Sequence, residues 1–212
     1  MGRFKIKKQD TFIDMTPMSD VMVLLLTFFM LTATFVKDEP VKVNAPGSVS
    51  EIKIPETNLL TIFVNKAGKV FLSMDAPETQ RKMAQQMIDN GDLKLNPQQL
   101  DEFSKVPTFG TPCNVLPAWL AKDANERNSF LTEEKYQSSN QVGIPVPGEN
   151  EVGVNELKLW VAAARKANGK DMGLAIKADK NTPYAVIKKV MDSLREVDEN
   201  RYNLITSLKS EE

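Results

Sequence analysis

The chain has 212 residues, 42% of them apolar, and a formal net charge of −1. That is enough to bury a core in one or two domains, and so balanced a charge gives no reason to expect a nucleic-acid partner. The absence of histidine and the single cysteine, Cys113, exclude histidine triads, histidine metal sites, an internal disulfide and a multi-cysteine metal cluster; with no glycine-rich phosphate loop either, no cofactor or metal is expected and little is left for catalysis.

Residues 1–15 read as a polar tail in which Arg3, Lys5, Lys7 and Lys8 outnumber Asp10 and Asp14. Next comes "TPMSDVMVLLLTFFMLTATFV", residues 16–36, with Asp20 as its only ionisable side chain. A helix of about 20 apolar residues crosses a bilayer core, so a single transmembrane helix is expected here. The basic tail puts the N-terminus in the cytoplasm and the rest of the chain on the far side. A cleaved signal peptide has the same order of charge and apolarity. However, this run exceeds the usual apolar region of about 7 to 15 residues, and Leu31 to Phe35 make a poor small-residue cleavage site.

Thr16 is placed to cap this helix and Pro17 to fill its first position, which sets Asp20 in the first turn. One explanation of the acid is structural, because the helix dipole favours a carboxylate at an N-terminus. The other is functional. Positions seven apart on a helix drift by only about 20°, so Asp20, Thr27 and Thr34 form a polar stripe on an apolar span. Such a stripe faces protein or a water-filled path, and an acid within it is a candidate functional group. If each side of the membrane reaches Asp20 separately, it can carry protons, each worth about 2.3 kcal/mol per 100 mV. One helix cannot seal such a path, so a surrounding subunit is required.

Residues 37–57 mix charges with Pro40, Pro46, Gly47 and Pro55 and are expected to form an extended linker. Residues 58–212 read as an α+β domain of order ββαβαβ. A hairpin has strands near 59–65 and 69–74 and a turn at Gly68. An amphipathic helix in "VNELKLWVAAARKANGK" places Leu157, Trp160, Val161 and Ala164 on one face and stops at Gly169. A strand at "GLAIKAD" follows. A second helix in "TPYAVIKKVMDSLREV" is capped by Thr182, has Pro183 in its first turn, and buries Val186 or Ile187, Val190, Met191 and Leu194. "RYNLITSL" closes as a last strand. The result is a small sheet with helices on one face. Trp160 and Tyr184 are expected in the core rather than on a ligand, and Asp179 and Lys180 in a solvated turn.

Between the hairpin and the first of these helices lie residues 79–150. They hold helical pieces, "TQRKMAQQMIDN" and "NPQQLDEFSKV", the latter capped by Asn96 with Pro97 next, and then a proline-rich irregular run. A decoration packed against the sheet is expected, with a docking surface around Phe109, Leu116 and Trp119 as the sharper alternative. Cys113 lies here, either buried or free to pair between chains.

"FIDMTPMSDVMVLLLTFFMLTATF" resembles the N-terminal signature of the ExbD/TolR family, single-pass subunits of proton-driven inner-membrane motors in Gram-negative bacteria. Thr16, Pro17 and Asp20 occupy that family's T-P-x-x-D pattern, whose acid is the protonatable carboxylate of the motor. "VKVNAP" is similar to the family's short extended motif, with Ala45 where a leucine is usual. The resemblance makes Val41, Lys42, Val43, Asn44, Ala45 and Pro46 a partner-binding strand, able to augment a sheet edge on a partner or a second copy. "IKADKNTPYAVIKKVMDSL" resembles the family's strand-turn-helix, whereas residues 79–150 depart from it, since the family has a much shorter link there.

The resemblance implies a periplasmic C-terminal domain and no enzymatic activity. It also implies an ExbB/TolQ-like polytopic subunit ringing a pair of such helices, and a TonB-like or TolA-like protein that acts on the outer membrane. The sequence does not decide between an ExbD and a TolR role, although "VKVNAP" leans toward ExbD. An anchored periplasmic binding module without proton chemistry is the alternative from another class.

Overall fold

The computed structural model describes residues 16–32, 43–48, 58–137, 139–148, 152–169 and 172–208. The chain divides into two units, Met1–Lys37 and Asp38–Glu212. The first holds one described helix, α1 (Thr16–Thr32). Its leucines, valines, methionines and phenylalanines from Met18 to Leu31 are each more than half exposed, on every side of the helix. At 17 residues it rises about 26 Å, less than the ~30 Å of a bilayer core. Among the described residues no helix is long and apolar enough to cross a membrane. Residues 33–36 of the expected span, and the tail 1–15, lie outside the described residues. One expectation is corrected: Thr16 is itself helical, so Asp20 stands fifth in the helix, past its first turn.

The second unit opens with β1 (Gly47–Ser48), then the expected hairpin of β2 (Leu59–Val64) and β3 (Val70–Met74). Asn65 builds the turn, its side-chain oxygen accepting the N–H groups of Ala67 (3.1 Å) and Lys69 (2.9 Å). Gly68 takes φ 74°, a left-handed conformation that glycine adopts without steric penalty. Residues 79–150 contribute most of α2 (Pro77–Asp89), then α3 (Pro97–Lys105), α4 (Leu116–Leu120), α5 (Ala124–Thr132) and α6 (Glu134–Gln137).

Helix α7 (Glu156–Asn168) starts at Asn155, whose side chain accepts the Lys158 N–H at 3.3 Å, and stops at Gly169 with φ 79°. It buries Leu157, Trp160, Val161, Ala163 and Ala164, as its apolar spacing predicts. Strand β4 (Gly173–Ala178) runs parallel to β2, and β5 (Asn203–Leu204) parallel to β4, so the sheet order is β3-β2-β4-β5. The register puts Leu60, Ile62, Leu72, Leu174 and Ile176 on one face, each at most 1% exposed. The architecture is a small mixed sheet with helices, an α+β domain.

Helix α8 (Tyr184–Arg195) departs from expectation at its start. Pro183, not Thr182, is the cap, and the Thr182 hydroxyl instead donates to the Asn65 carbonyl at 3.0 Å, pinning the helix start to the hairpin turn. Val190 and Leu194 are buried, with Val186, Ile187 and Met191 half-buried against the core. Tyr184 is 70% exposed, not packed in the core, because six residues before Val190 is about 120° around the helix from it. The expected single last strand is two pieces: β5 on β4, and β6 (Ser207–Leu208) parallel to β1.

Residues 79–150 are part of the core. The Phe103 and Phe109 rings lie 4.7 Å apart, and Phe109 lies 4.9 Å from Trp160 of α7. The buried Gln80 amide donates to the carbonyls of Phe103 (2.8 Å) and Val106 (3.0 Å), satisfying the C-terminal end of α3. Phe109, Leu116 and Trp119, the residues of the alternative docking surface, are at most 1% exposed and fill the interior instead. An irregular proline-rich run has no period to separate a buried aromatic from an exposed one.

Two outcomes follow. Phe109→Ala lowers the stability of the chain by about 3–5 kcal/mol, measured as a shift in its denaturant midpoint. Joining residue 78 to residue 151 through a short turn abolishes the cooperative near-UV transition on heating, because α7 and the hairpin lose the aromatic contacts that cover them.

Candidate functional site

Asp20 and Thr27 both lie on α1, seven residues apart and exposed, so the described part of the polar stripe runs along one side of the helix. Thr34 lies outside the described residues. The Thr27 hydroxyl donates to the Leu24 carbonyl at 2.9 Å, and that of Thr32 to the Phe28 carbonyl at 2.8 Å. A threonine bonded into its own helix sits comfortably among apolar neighbours. Asp20 has no such internal solution, and charge–dipole stabilisation fades beyond the first turn. The carboxylate therefore requires a polar partner or water.

The linker motif gives a second candidate. Val41 and Lys42 lie outside the described residues, but Val43, Asn44, Ala45 and Pro46 are held against their own domain. The Val43 side chain is buried against the core. The Asn44 N–H donates to Asp179 Oδ2 at 3.1 Å, and the Asn44 carbonyl accepts the Lys180 N–H at 2.9 Å. Gly47 and Ser48 then pair with Ser207 and Leu208. Thus residues 43–48 of the expected extended linker are engaged at two successive points.

Sequence reasoning missed Asp179. It stands at the end of β4, where its own N–H donates to the Val64 carbonyl at 2.9 Å. The residue is 7% exposed, not solvated. One carboxylate oxygen accepts the Asn44 N–H and the other accepts the Asn181 N–H at 2.9 Å. The signal was present as an Asp two residues before Asn181, a side chain suited to bonding backbone two positions on. Its bond to a residue so far away in the chain had no local trace.

Cys113 is half-buried and unpaired by disulfide. Its N–H donates to Glu156 Oε2 at 2.8 Å. Burial first, then the adjacent Glu156 carboxylate, push its thiol well above the ordinary cysteine range. A thiol held protonated is a poor nucleophile, so Cys113 reads as structural. Among the described residues no cluster of three or more cysteine or acidic side chains is arranged to hold a metal ion.

Residues 7–109 match the family described as biopolymer transport protein ExbD/TolR. The chain is 27% identical over 138 residues to the biopolymer transport protein ExbD2 of Vibrio cholerae serotype O1, an alignment covering 98% of that protein and 64% of this chain. No solved structure matches the chain. The two matches support the ExbD/TolR family, which the N-terminal segment resembles.

The clasp and the thiol each give a measurable outcome. Asp179→Ala removes a charged acceptor worth about 1.5–3 kcal/mol, so hydrogen exchange at the Asn44 amide accelerates while the amides of β2 stay protected. The unfolded Cys113 thiol loses its proton near pH 9.0 and the folded one only at higher pH. The unfolded state therefore binds fewer protons in that range, and stability is full below pH 9 and falls as pH rises above it. Cys113→Ala flattens that alkaline limb in a denaturation series.

Proposed function

We propose that this ExbD/TolR-family chain is an ExbD-like subunit of a proton-motive-force-driven inner-membrane motor, with Asp20 as its proton carrier. The observation that carries the reading is the Thr16-Pro17-x-x-Asp20 pattern on a helix whose other sides are apolar and exposed. A helix apolar all round belongs inside protein or lipid. In this reading α1 and residues 33–36 together span the inner membrane once, the basic tail 1–15 stays in the cytoplasm, and the domain from residue 58 lies in the periplasm. The likeness to ExbD2 supports an ExbD-like role over a TolR-like one.

Proton transfer needs a sealed surround, which an ExbB/TolQ-like polytopic subunit supplies around two copies of α1. Thr27 and Thr34 face the same path as Asp20. Each proton brings about 2.3 kcal/mol per 100 mV, and the work passes through the periplasmic domain to a TonB-like protein. Residues 41–46 are the segment offered to that partner. The docked state of residues 43–48 supports a clasp that must open first, since their backbone groups are already paired with the domain.

Asp20→Asn keeps the shape and hydrogen bonding of the side chain but cannot exchange a proton. The expected outcome is normal protein level and normal co-purification with the polytopic subunit, with energy-dependent outer-membrane uptake abolished. Asp20→Glu, displaced by one methylene, retains partial uptake. Normal uptake by an Asp20→Asn strain would remove the proton-carrier role.

A further inference from the structure

One edge of the sheet is closed by the chain itself. The outward-pointing backbone groups of an edge strand recur at every second residue, and on β3 they belong to Val70, Leu72 and Met74. Leu72 and Phe109 exchange both backbone hydrogen bonds, at 2.8 and 2.9 Å, and the Val70 carbonyl accepts the Ile144 N–H at 2.9 Å. The Ser73 hydroxyl donates to the Pro107 carbonyl at 2.6 Å. The two covering segments also hold each other, the Gly143 N–H donating to the Gly110 carbonyl at 2.7 Å. Gly110 allows the approach: a Cβ there would stand 2.1 Å from the Phe71 ring.

The cover is built so that it does not extend the sheet. Its contact with β3 at Phe109 is an isolated bridge, and Pro107, Pro112, Pro145 and Pro147 flank the contact points. Proline cannot donate to a ladder, so no further strand finds a continuous row of partners on the outer side. Phe109 anchors the cover through its ring, buried beside Phe103 and Trp160. An open edge is a template for pairing between chains, and natural sheets block it with short pairings, prolines or covering loops.

We propose that residues 107–110 and 143–144 serve as an edge guard: they occupy the β3 edge and bar a second copy of this chain from pairing there. On the proposed motor reading, two copies brought together at the membrane hold their domains at high local concentration, where an open β3 edge would join them through the wrong strand. The guard thus answers to the pairing of copies rather than to any ligand.

The test uses the full chain in detergent. Amides of Leu72, Phe109 and Ile144 should exchange as slowly as those of Ile62 and Phe63 in the sheet centre, and about a hundredfold or more slower than Asn44. A Ser73→Cys chain, mildly oxidised, should give no disulfide between copies at that position. Adding Gly110→Ala, which forces the cover off Phe71, should raise exchange at Leu72 and Phe109 about tenfold or more and allow the disulfide between copies to form. Exchange at Leu72 as fast as at Asn44, or a cross-link through Ser73→Cys alone, would overturn the proposal. Both readouts are taken with Gly110 in place, so they decide the matter even where the Gly110→Ala chain does not fold.

Discussion

Phe109 ties three parts of the domain together. Its backbone pairs with Leu72 on the edge of the sheet, while its ring sits between Phe103 of α3 and Trp160 of α7. Aromatic pairs at such distances add about 0.5–1.5 kcal/mol each beyond the area they bury. The larger effect is geometric. The ring helps hold the proline-rich run on β3 beside the direct stacking of Phe103 on Trp160, and Gln80 closes the end of α3. A stretch that reads as loop is thus fastened at the junction of three elements, by this ring and by the backbone bonds beside it.

The segment that follows the N-terminal unit is held differently. Residues 43–48 are docked by backbone bonds to Asp179 and Lys180 and by a two-residue pairing with β6, and Val43 is their buried apolar contribution. A few hydrogen bonds with a net worth of about 1 kcal/mol each open far more readily than a cluster of buried aromatics. The domain therefore has one segment fastened largely by packing and one fastened largely by polar contacts. Val43 to Pro46 belong to the second of these segments. The C-terminal end of α7 is anchored by Arg165, which forms a two-pronged ion pair with Glu199 and donates to the Met172 carbonyl at 2.9 Å.

In the N-terminal unit the governing contrast is between one carboxylate and a surface of leucine, valine, methionine and phenylalanine. Every threonine with a described hydroxyl contact on α1 turns that contact inward to its own backbone. Asp20 lacks that route, and a carboxylate surrounded by hydrocarbon without a partner is strongly disfavoured. Asp20 is the only ionisable side chain of α1, and its carboxylate needs a polar partner or water.

What the sequence determined by itself is local. The hairpin, α7 and β4 fall where spacing and turn residues put them, because side-chain period, an Asn or Gly in the turn and a cap are properties of a few adjacent residues. Asp20 stood out for the same reason, as one charge in an apolar run. The tertiary structure decided everything that depends on residues far apart in the chain. Phe109, Leu116 and Trp119 are core because α7 and β3 come to meet them, and Tyr184 is exposed because it lies about 120° around the helix from the buried Val190. The last strand divides because Ile205 is the final residue bonded to β4, through its N–H to Ile176, and Ser207 turns to Gly47 instead. Asp179 becomes a clasp only when the linker folds back to it. Long-range pairing leaves no period in either partner's sequence, so it appears only when the strands are side by side.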